Sequence, residues 1–410
     1  MVKDIAIIGA GPAGLYSAHL LAKAGFNVTV FEEHSKIGTP IKCTGLVTNS
    51  IQKIINIPNN LIKNKIEFAN IISPTNKTIK IKLKHPNLVL DRAKFDKYLG
   101  KKAIDSGAKV KLNYKFQGFY RLKNRHNKTI VLKYKNQNIF CTPNYLIGSD
   151  GPKSKISKII NKKNQNKSEN KNENETKRQQ KLKHKTKHQT YLVGIQARIK
   201  TKNNIQNINT NTLKFYPFKQ GFAWLVPESK TIAKIGIASY TNQKKIFNDF
   251  IKRIEKKHRT KINNNTIINY QAGLIPIYNP KLKLYKKINK INTYILGDAA
   301  THIKSTTAGG IIQSLIAAKA LTKSIKYNKN YHKLLRKSLN KDLLIHLIIR
   351  KILDNFSNQD YNYLFKLTNQ KKIKKILSKY DRDNIIPMLI KIIIKEPRYL
   401  YFIKYILKYK

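Results

Sequence analysis

The sequence predicts an α/β fold in which a parallel sheet flanked by helices is interleaved with antiparallel strands, followed by a helical C-terminal region. Three observations predict it. A short apolar strand, a glycine turn, a helix and a second strand open the chain, and strand, glycine turn and helix recur between Thr293 and Tyr327. Between these stretches lie segments in which apolar and basic residues alternate with a period of two, which suits strands with one wet face. After Asp342, apolar clusters mixed with lysines read as helices, as in LLIHLIIRKIL and MLIKIIIKEPRYLYFIKYILKYK.

Each element follows in order. Asp4–Ile8 (DIAII) reads as a buried strand, about Ala13 to Ala24 as a helix and Asn27–Phe31 as the next strand, a βαβ opening that implies a parallel sheet. Alternation between about Ile51 and Lys84, as in IISPTNKTIKIKL, predicts strands. Phe95–Ser106 predicts a helix, and Lys109–Asn113, Thr129–Lys135 and Tyr145–Ile147 predict strands. Asn161–Thr190 is almost free of apolar side chains; it cannot bury enough surface to offset its ordering entropy, so a disordered basic insertion is expected over 161–190. Strand-like segments resume from Tyr191 to Tyr240.

Composition narrows the function classes. With 410 residues, the chain is long enough for two or three domains or one large α/β unit. Lys and Arg number 82 against 21 Asp and Glu, a formal net charge of +61. Lys, Asn and Ile dominate even in loops, as AT-rich coding would produce; attraction to polyanions, nucleic acid or an anionic membrane surface is the competing reading. The excess is dispersed and no nucleic-acid-binding signature accompanies it, so no specific nucleic-acid partner is expected. Two distant cysteines, Cys43 and Cys141, make no disulfide framework or metal cluster, so no metal and a reducing cytoplasm are expected. The opening MVKDIAIIGAG has no signal-peptide pattern, and no apolar run approaches the roughly 20 residues that span a bilayer.

The strongest motif is Gly9-Ala10-Gly11-Pro12-Ala13-Gly14, between a strand and a helix. Gly9 permits the tight turn, Gly11 lets the backbone approach a pyrophosphate, and Gly14 lets helix and strand pack closely. The pyrophosphate would sit on the helix N-terminus, where free N–H groups and the helix dipole favour an anion. Glu32 ends the second strand, placed to accept hydrogen bonds from a ribose diol. Two later segments select the nucleotide: Gly148-Ser149-Asp150-Gly151 with Ser154, and Gly297-Asp298-Ala299-Ala300 followed by Gly309-Gly310-Ile311. In this order they resemble the FAD-binding flavoproteins of the p-hydroxybenzoate hydroxylase type. That resemblance implies FAD, with Asp298 on the ribityl chain and the Gly310-Ile311 turn at the flavin ring.

Further elements resemble the geranylgeranyl reductases, and among them the archaeal digeranylgeranylglycerophospholipid reductases. Pro40-Ile41-Lys42-Cys43-Thr44-Gly45 resembles that family's Pro-x-x-Cys-x-Gly element beside the flavin, and Arg92 with Phe95-Asp96 its Arg-x-x-Phe-Asp segment. Phe222-Ala223-Trp224-Leu225-Val226-Pro227, with Gly236 beyond, resembles its Tyr-x-Trp-x-Phe-Pro…Gly signature. Phe222 and Val226 depart from the usual Tyr and Phe, Ser305 stands where Pro is usual, and Gly236-Ile237-Ala238 weakens a GxG. The resemblance implies cofactor contacts from Gly9, Gly11, Ala13, Gly14, Glu32, Cys43, Thr44, Gly45, Arg92, Phe116, Asp298, Gly310 and Ile311. It implies substrate contacts from Phe222, Trp224 and Pro227; Cys43, in a Pro/Gly-containing loop near the expected flavin ring, is the catalytic candidate, reading as a proton donor to a carbanion-like centre or as a residue that tunes the flavin. By the residues alone, Cys43 reads equally as an inert buried cysteine and Trp224 as an ordinary core residue. Cys141 reads as structural, and His302 as a satisfied structural histidine.

The implied architecture is a Rossmann-like FAD-binding domain (1–50, 88–160 and 290–330) interleaved with an antiparallel-sheet substrate domain (51–87 and 191–289), with the C-terminal helical region at 331–410. The implied reaction is hydride transfer from reduced flavin to a prenyl double bond of an isoprenoid lipid precursor, with protonation of the adjacent carbon. Ferredoxin, a deazaflavin or NAD(P)H are the electron donors this allows. Peripheral association with the inner face of the cell membrane is expected. Two other enzyme classes share the scaffold: an FAD monooxygenase using NAD(P)H and O2 on an apolar substrate, and a quinone-linked electron-transfer flavoprotein. The two distant cysteines cannot by themselves ligate the iron–sulfur cluster that usually accompanies the second.

Overall fold

A computed structural model describes residues 3–122, 125–162, 191–200, 209–258, 260–383 and 385–407. The disordered insertion expected at 161–190 lies, from residue 163 onward, outside the described residues. The chain opens with β1 (Asp4–Ile8), α1 (Pro12–Lys23) and β2 (Asn27–Glu32), and β1 pairs β2 in parallel from Asp4 and Asn27 to Ile8 and Phe31. β3 (Leu46–Val47), β4 (Ile62–Ile72), β5 (Thr78–Leu90), α2 (Arg92–Asp105) and β6 (Lys109–Leu112) follow. Next come the meander β7 (Tyr114–Leu122), β8 (Arg125–Tyr134) and β9 (Gln137–Cys141), then β10 (Tyr145–Gly148) and α3 (Lys155–Asn161).

The second half contributes β11 (Tyr191–Lys200), β12 (Thr212–Phe218), β13 (Gly221–Pro227), β14 (Ile232–Ser239), α4 (Gln243–His258) and β15 (Ile267–Pro276). β16 (Tyr285–Ile288), β17 (Ile291–Ile295) and α5 (Ile311–Lys326) close the α/β part. The tail is helical: α6 (Tyr331–Leu335), α7 (Lys341–Asp354), α8 (Asn358–Thr368), α9 (Lys371–Lys379), α10 (Ile385–Lys395) and α11 (Lys404–Leu407).

Six strands run in the order β16-β17-β10-β1-β2-β6, all parallel except the edge strand β16. A parallel sheet is stable only with both faces covered. Ile5, Ile7, Leu146, Ile147 and Ile295 are accordingly buried in one core with Leu15, Leu99 and Leu315 of α1, α2 and α5. The second sheet has eight strands in the order β15-β11-β14-β13-β12-β4-β5-β3. It is antiparallel apart from β12 and β4, which come from distant stretches and pair in parallel from Thr212 and Phe68 onward. The boundary expected at 87/88 falls inside β5, because its last residues, Leu88 and Val89, still pair with β3 and β4. β3 itself lies before residue 50 yet belongs to this second sheet, so the Cys43–Gly45 loop is drawn in between the two sheets.

α4 lays Phe247, Phe250 and Ile254 on one face of the second sheet. The tail covers β5 with Phe356, Tyr361, Phe365 and Phe402 against Ile79 and Ile81. At the end of β13, Glu228 is 2% exposed and bonded by Arg198 Nε at 2.7 Å and by Lys63 Nζ, with Lys234 Nζ 3.9 Å away. Burial alone would raise this carboxyl, but the bonds from Arg198 and Lys63 hold it below the ordinary value, so the stability it contributes is present above pH ~4.5 and is lost in acid. Removing a buried ion's partner leaves its cations uncompensated. Glu228→Ala is therefore expected to lower the free energy of unfolding by roughly 3 kcal/mol in urea titrations at neutral pH, with a smaller difference from wild type below pH ~4.

Candidate functional site

The first wall is the glycine turn between β1 and α1. Gly9 has φ +101°, and a Cβ there would overlap the Ser149 carbonyl; one on Gly14 would overlap Gly9 O. A Cβ on Gly11 would meet nothing within 4 Å, which leaves the turn open on its outer side. Ser149 Oγ lies 2.8 Å from Ile8 O and 3.0 Å from Gly9 O and holds the turn. The N-terminus of α1 has no side-chain cap and no acid in its first turn, so its free N–H groups face an anion-sized cradle. Ala10 N donates to Glu32 Oε2 at 2.6 Å. The other oxygen of Glu32 takes His34 N at 3.0 Å and lies 2.5 Å from His34 Nδ1. Nothing in the sequence reading singled out His34, although its place two residues after the acid was the available signal. Asp150 and Ser154 bond each other at 2.6 Å, and Ser154 caps α3 through Ser157 N, so the DGxxS element builds a helix start beside the glycine turn.

A cavity of about 320 Å³ opens from this turn. Gly11, Ala13, Cys43, Thr44, Gly45 and Arg92 line it from the first half of the chain. Asp298, Gly310, Ile311, Phe222 and Trp224 line it from the second. Gly9, Gly14 and Glu32 stand behind the turn. Two expected contacts are not on this wall. Pro227 is buried at the end of β13, where its carbonyl accepts from Asn64 Nδ2 at 2.9 Å. Phe116 is buried in β7, packed edge-on against Phe119.

The Cys43 loop is fixed from both sides. Gly45 N donates to Cys43 Sγ at 3.4 Å, Thr44 Oγ1 to Gln196 Oε1 at 2.8 Å, and Lys234 Nζ to Thr44 O at 2.8 Å. The Arg92 guanidinium reaches the same sulfur and grips Asp96 at 2.9 and 3.0 Å one helical turn on. Burial opposes the Arg92 charge, but Asp96 and Cys43 together raise its pKa further.

Asp298 lies beyond Arg92 in the turn Gly297–Ala300, and burial pushes its carboxyl up to about 6 while Arg92 pulls against that. Its carboxylate accepts no hydrogen bond among the described residues and faces the cavity. An open helix N-terminus, a cradle free at Gly11 and an unpartnered carboxylate fit FAD: phosphates on the first two, ribityl hydroxyls on the third. Ser305, where Pro is usual, uses its Oγ to accept from Tyr278 N at 3.2 Å. His302 corrects the expectation of a satisfied histidine: it is fully buried, neither ring nitrogen has a partner among the described residues, and burial depresses it to about 3.

The aromatic wall lies across the cavity. The Trp224 indole lies over Gly236, where a Cβ would overlap it, and its Nε1 has no partner among the described residues. Phe222 is 5.8 Å from Trp224 and stacks on Phe215 at 5.3 Å. The tail closes one end through Asp383, which collects Lys304, Thr48, Ser50 and Gln313, while Arg382 lines the cavity. Burial would raise the Asp383 carboxyl, but the Lys304 charge and these hydrogen bonds hold it far below the usual range.

The family model described as FAD binding domain matches residues 3–314. A digeranylgeranylglycerophospholipid reductase of Methanococcus vannielii is 26% identical over 342 residues, 80% of this chain and 78% of the relative. Digeranylgeranylglycerophospholipid reductase 3 of Methanosphaera stadtmanae is 27% identical over 98% of both chains. Among solved structures, a geranylgeranyl bacteriochlorophyll reductase-like protein of Thermoplasma acidophilum superposes with a TM-score of 0.79 at 19% identity over 98% of each chain, a likeness of fold. Asp298→Asn is expected to weaken FAD binding to the apoprotein about tenfold or more, the value of a hydrogen bond to a charged group. Wild-type affinity, read by flavin fluorescence titration, should fall as pH drops through about 6, where Asp298 protonates, and the variant should lack that step.

Proposed function

Because the chain belongs to the FAD binding domain family and is an FAD-dependent oxidoreductase, we propose that it hydrogenates the geranylgeranyl double bonds of isoprenoid ether-lipid precursors. One observation carries the reading: Cys43 and the Phe222–Trp224 wall share a single cavity with the glycine turn and Asp298. Relatives named for this activity, one alignable over nearly its whole length, support it. Bound FAD supplies a hydride donor once reduced by ferredoxin, a deazaflavin or NAD(P)H.

The chain's own residues do the rest. Phe222, Trp224, Leu213 and Phe215 offer an apolar wall to a substrate with few polar handles. Binding then comes from burial, about 0.8 kcal/mol per CH2, and tolerates different chain lengths. Cys43 stands across from that wall as proton donor to the carbon beside the one reduced, oriented by the Gly45 N–H and by Arg92. Gly9, Gly11, Ala13, Gly14 and Glu32 would hold the dinucleotide, and Thr44, Gly45, Arg92, Asp298, Gly310 and Ile311 the flavin half. No helix among the described residues is long and apolar enough to cross a membrane. An isoprenoid lipid is reached most directly from the membrane surface, so peripheral association at its cytoplasmic face belongs to this reading.

Holoprotein reduced chemically without oxygen and given a geranylgeranylglyceryl phospholipid should add one H2 per double bond by mass spectrometry. No mass gain, with flavin reoxidised only on admission of O2, would overturn the reading and favour a monooxygenase. Cys43→Ala should slow saturation by about 10²-fold, within the range for general-acid catalysis, with FAD content unchanged. Trp224→Ala should raise KM about tenfold, the loss of one apolar wall, while kcat changes less. As the sole tryptophan, Trp224 should also report cavity occupancy in the wild type through its fluorescence.

A further inference from the structure

We propose that α10 and the turn that follows it form a docking face for an anionic lipid bilayer, which deepens the reading above by naming the surface through which a lipid substrate is reached. α10 reads IIPMLIKIIIK, with Lys391 and Lys395 its only charges. Its inner side is accounted for, since Ile385 and Ile392 are buried against the tail. The outer side is equally apolar: Ile390, Ile393 and Ile394 are 53%, 37% and 68% exposed. The turn Pro397–Ile403 and α11 extend the patch with Leu400, Tyr401, Ile403 and Ile406, all exposed. A helix apolar all round is buried on both sides in its working state.

Charge identifies the occupant. From residue 371 to 407 the chain carries ten Lys and Arg against three Asp and Glu. Two of the three acids are engaged within the protein: Glu396 by Lys372 and Arg398, and Asp383 by Lys304. Lys391 and Lys395 lie on α10 itself. Lys391 Nζ lies over the Tyr380 ring, and Lys404 Nζ lies over Tyr401 at 3.6 Å and is 3.8 Å from Asp360, so cations and tyrosine rings meet at this face. An apolar face edged by lysines and tyrosines matches the boundary between acyl chains and anionic headgroups. Eleven residues span roughly 16 Å at 1.5 Å each, about half a bilayer core, so the helix lies in the interface. The geometry also links the face to the cavity, because Arg382, on the cavity wall, stands three residues before Ile385, where α10 begins.

The test is cosedimentation of the holoprotein with phosphatidylcholine vesicles with and without phosphatidylglycerol, at low and high salt. The wild type should pellet with the anionic vesicles and be released by salt. Ile390→Glu/Ile394→Glu, both at exposed positions, should lower the bound fraction at least tenfold while FAD content and turnover of detergent-dispersed substrate stay at wild-type levels. Lys391→Glu/Lys395→Glu should lose the preference for anionic vesicles. Equal pelleting of wild type and the isoleucine variant would overturn the assignment. So would an absence of wild-type pelleting together with a dimer that the same variant dissolves, which would make a second copy the occupant. Vesicle binding is read without turnover, so its result is separate from the failure or success of the reductase reading.

Discussion

At Gly9 the backbone turns with φ +101° directly against the carbonyl of Ser149, the residue that follows β10, and Gly14 presses on the same turn from α1. These three segments approach more closely than any side chain would allow. The cavity exists because they do: the open N-terminus of α1, the reach of Glu32 to Ala10 N and the start of α3 at Asp150 and Ser154 are all referenced to that contact. Ser149 Oγ, bonded to the carbonyls of Ile8 and Gly9, spends its polar group on holding the turn. The dinucleotide end of the site is therefore set by backbone, which is rigid and carries little charge of its own.

The other end is set by side chains, and by charge. The Cys43 loop leaves the first sheet and enters the second through β3, so its position is defined only by what meets it there. Gln196 and Lys234 of the second sheet hold Thr44, and Arg92 of α2 reaches Cys43 itself. Lys234 and Arg198 are in turn tied to Glu228. A single buried carboxylate thus couples the strand carrying the aromatic wall to the loop carrying the proposed proton donor.

What the sequence disclosed follows from the range of the interactions involved. The glycine turn, Glu32 and the strand-turn-helix around Asp298 are local patterns, and the periodicities that mark β1, α1 and α5 are local too, so both could be read from neighbouring residues. The Asp383 cluster joins residues 333 and 335 positions apart, and no local pattern encodes that. The parallel pairing of β12 with β4 is unreadable for the same reason. Pro227 is implied by the resemblance to the aromatic signature, but side chains alternate along a strand, and the residue ending β13 is not on the face from which Trp224 and Phe222 line the cavity. His302 lies beside a recognisable turn, but whether its nitrogens find partners depends on packing around all of its faces.

The charge excess looks different once the carboxylates are located. With 21 acids for 82 bases, three acids become hubs: Glu228 for Lys63, Arg198 and Lys234, Asp383 for Lys304, and Glu396 for Lys372 and Arg398. Every hub ties separate segments of the chain together, so the few acids hold internal geometry and the surplus lysines are left to the surface. A uniformly basic surface would attract polyanions without direction. Direction comes from apolar exposure, and among the described residues the densest run of exposed isoleucine, leucine and tyrosine falls in α10 and the turn beyond it. There the dispersed excess, whatever its origin in coding bias, coincides with a surface that water alone solvates poorly. That coincidence makes the tail, through Arg382 and Asp383, the element through which an apolar surface and the cavity would act on one another.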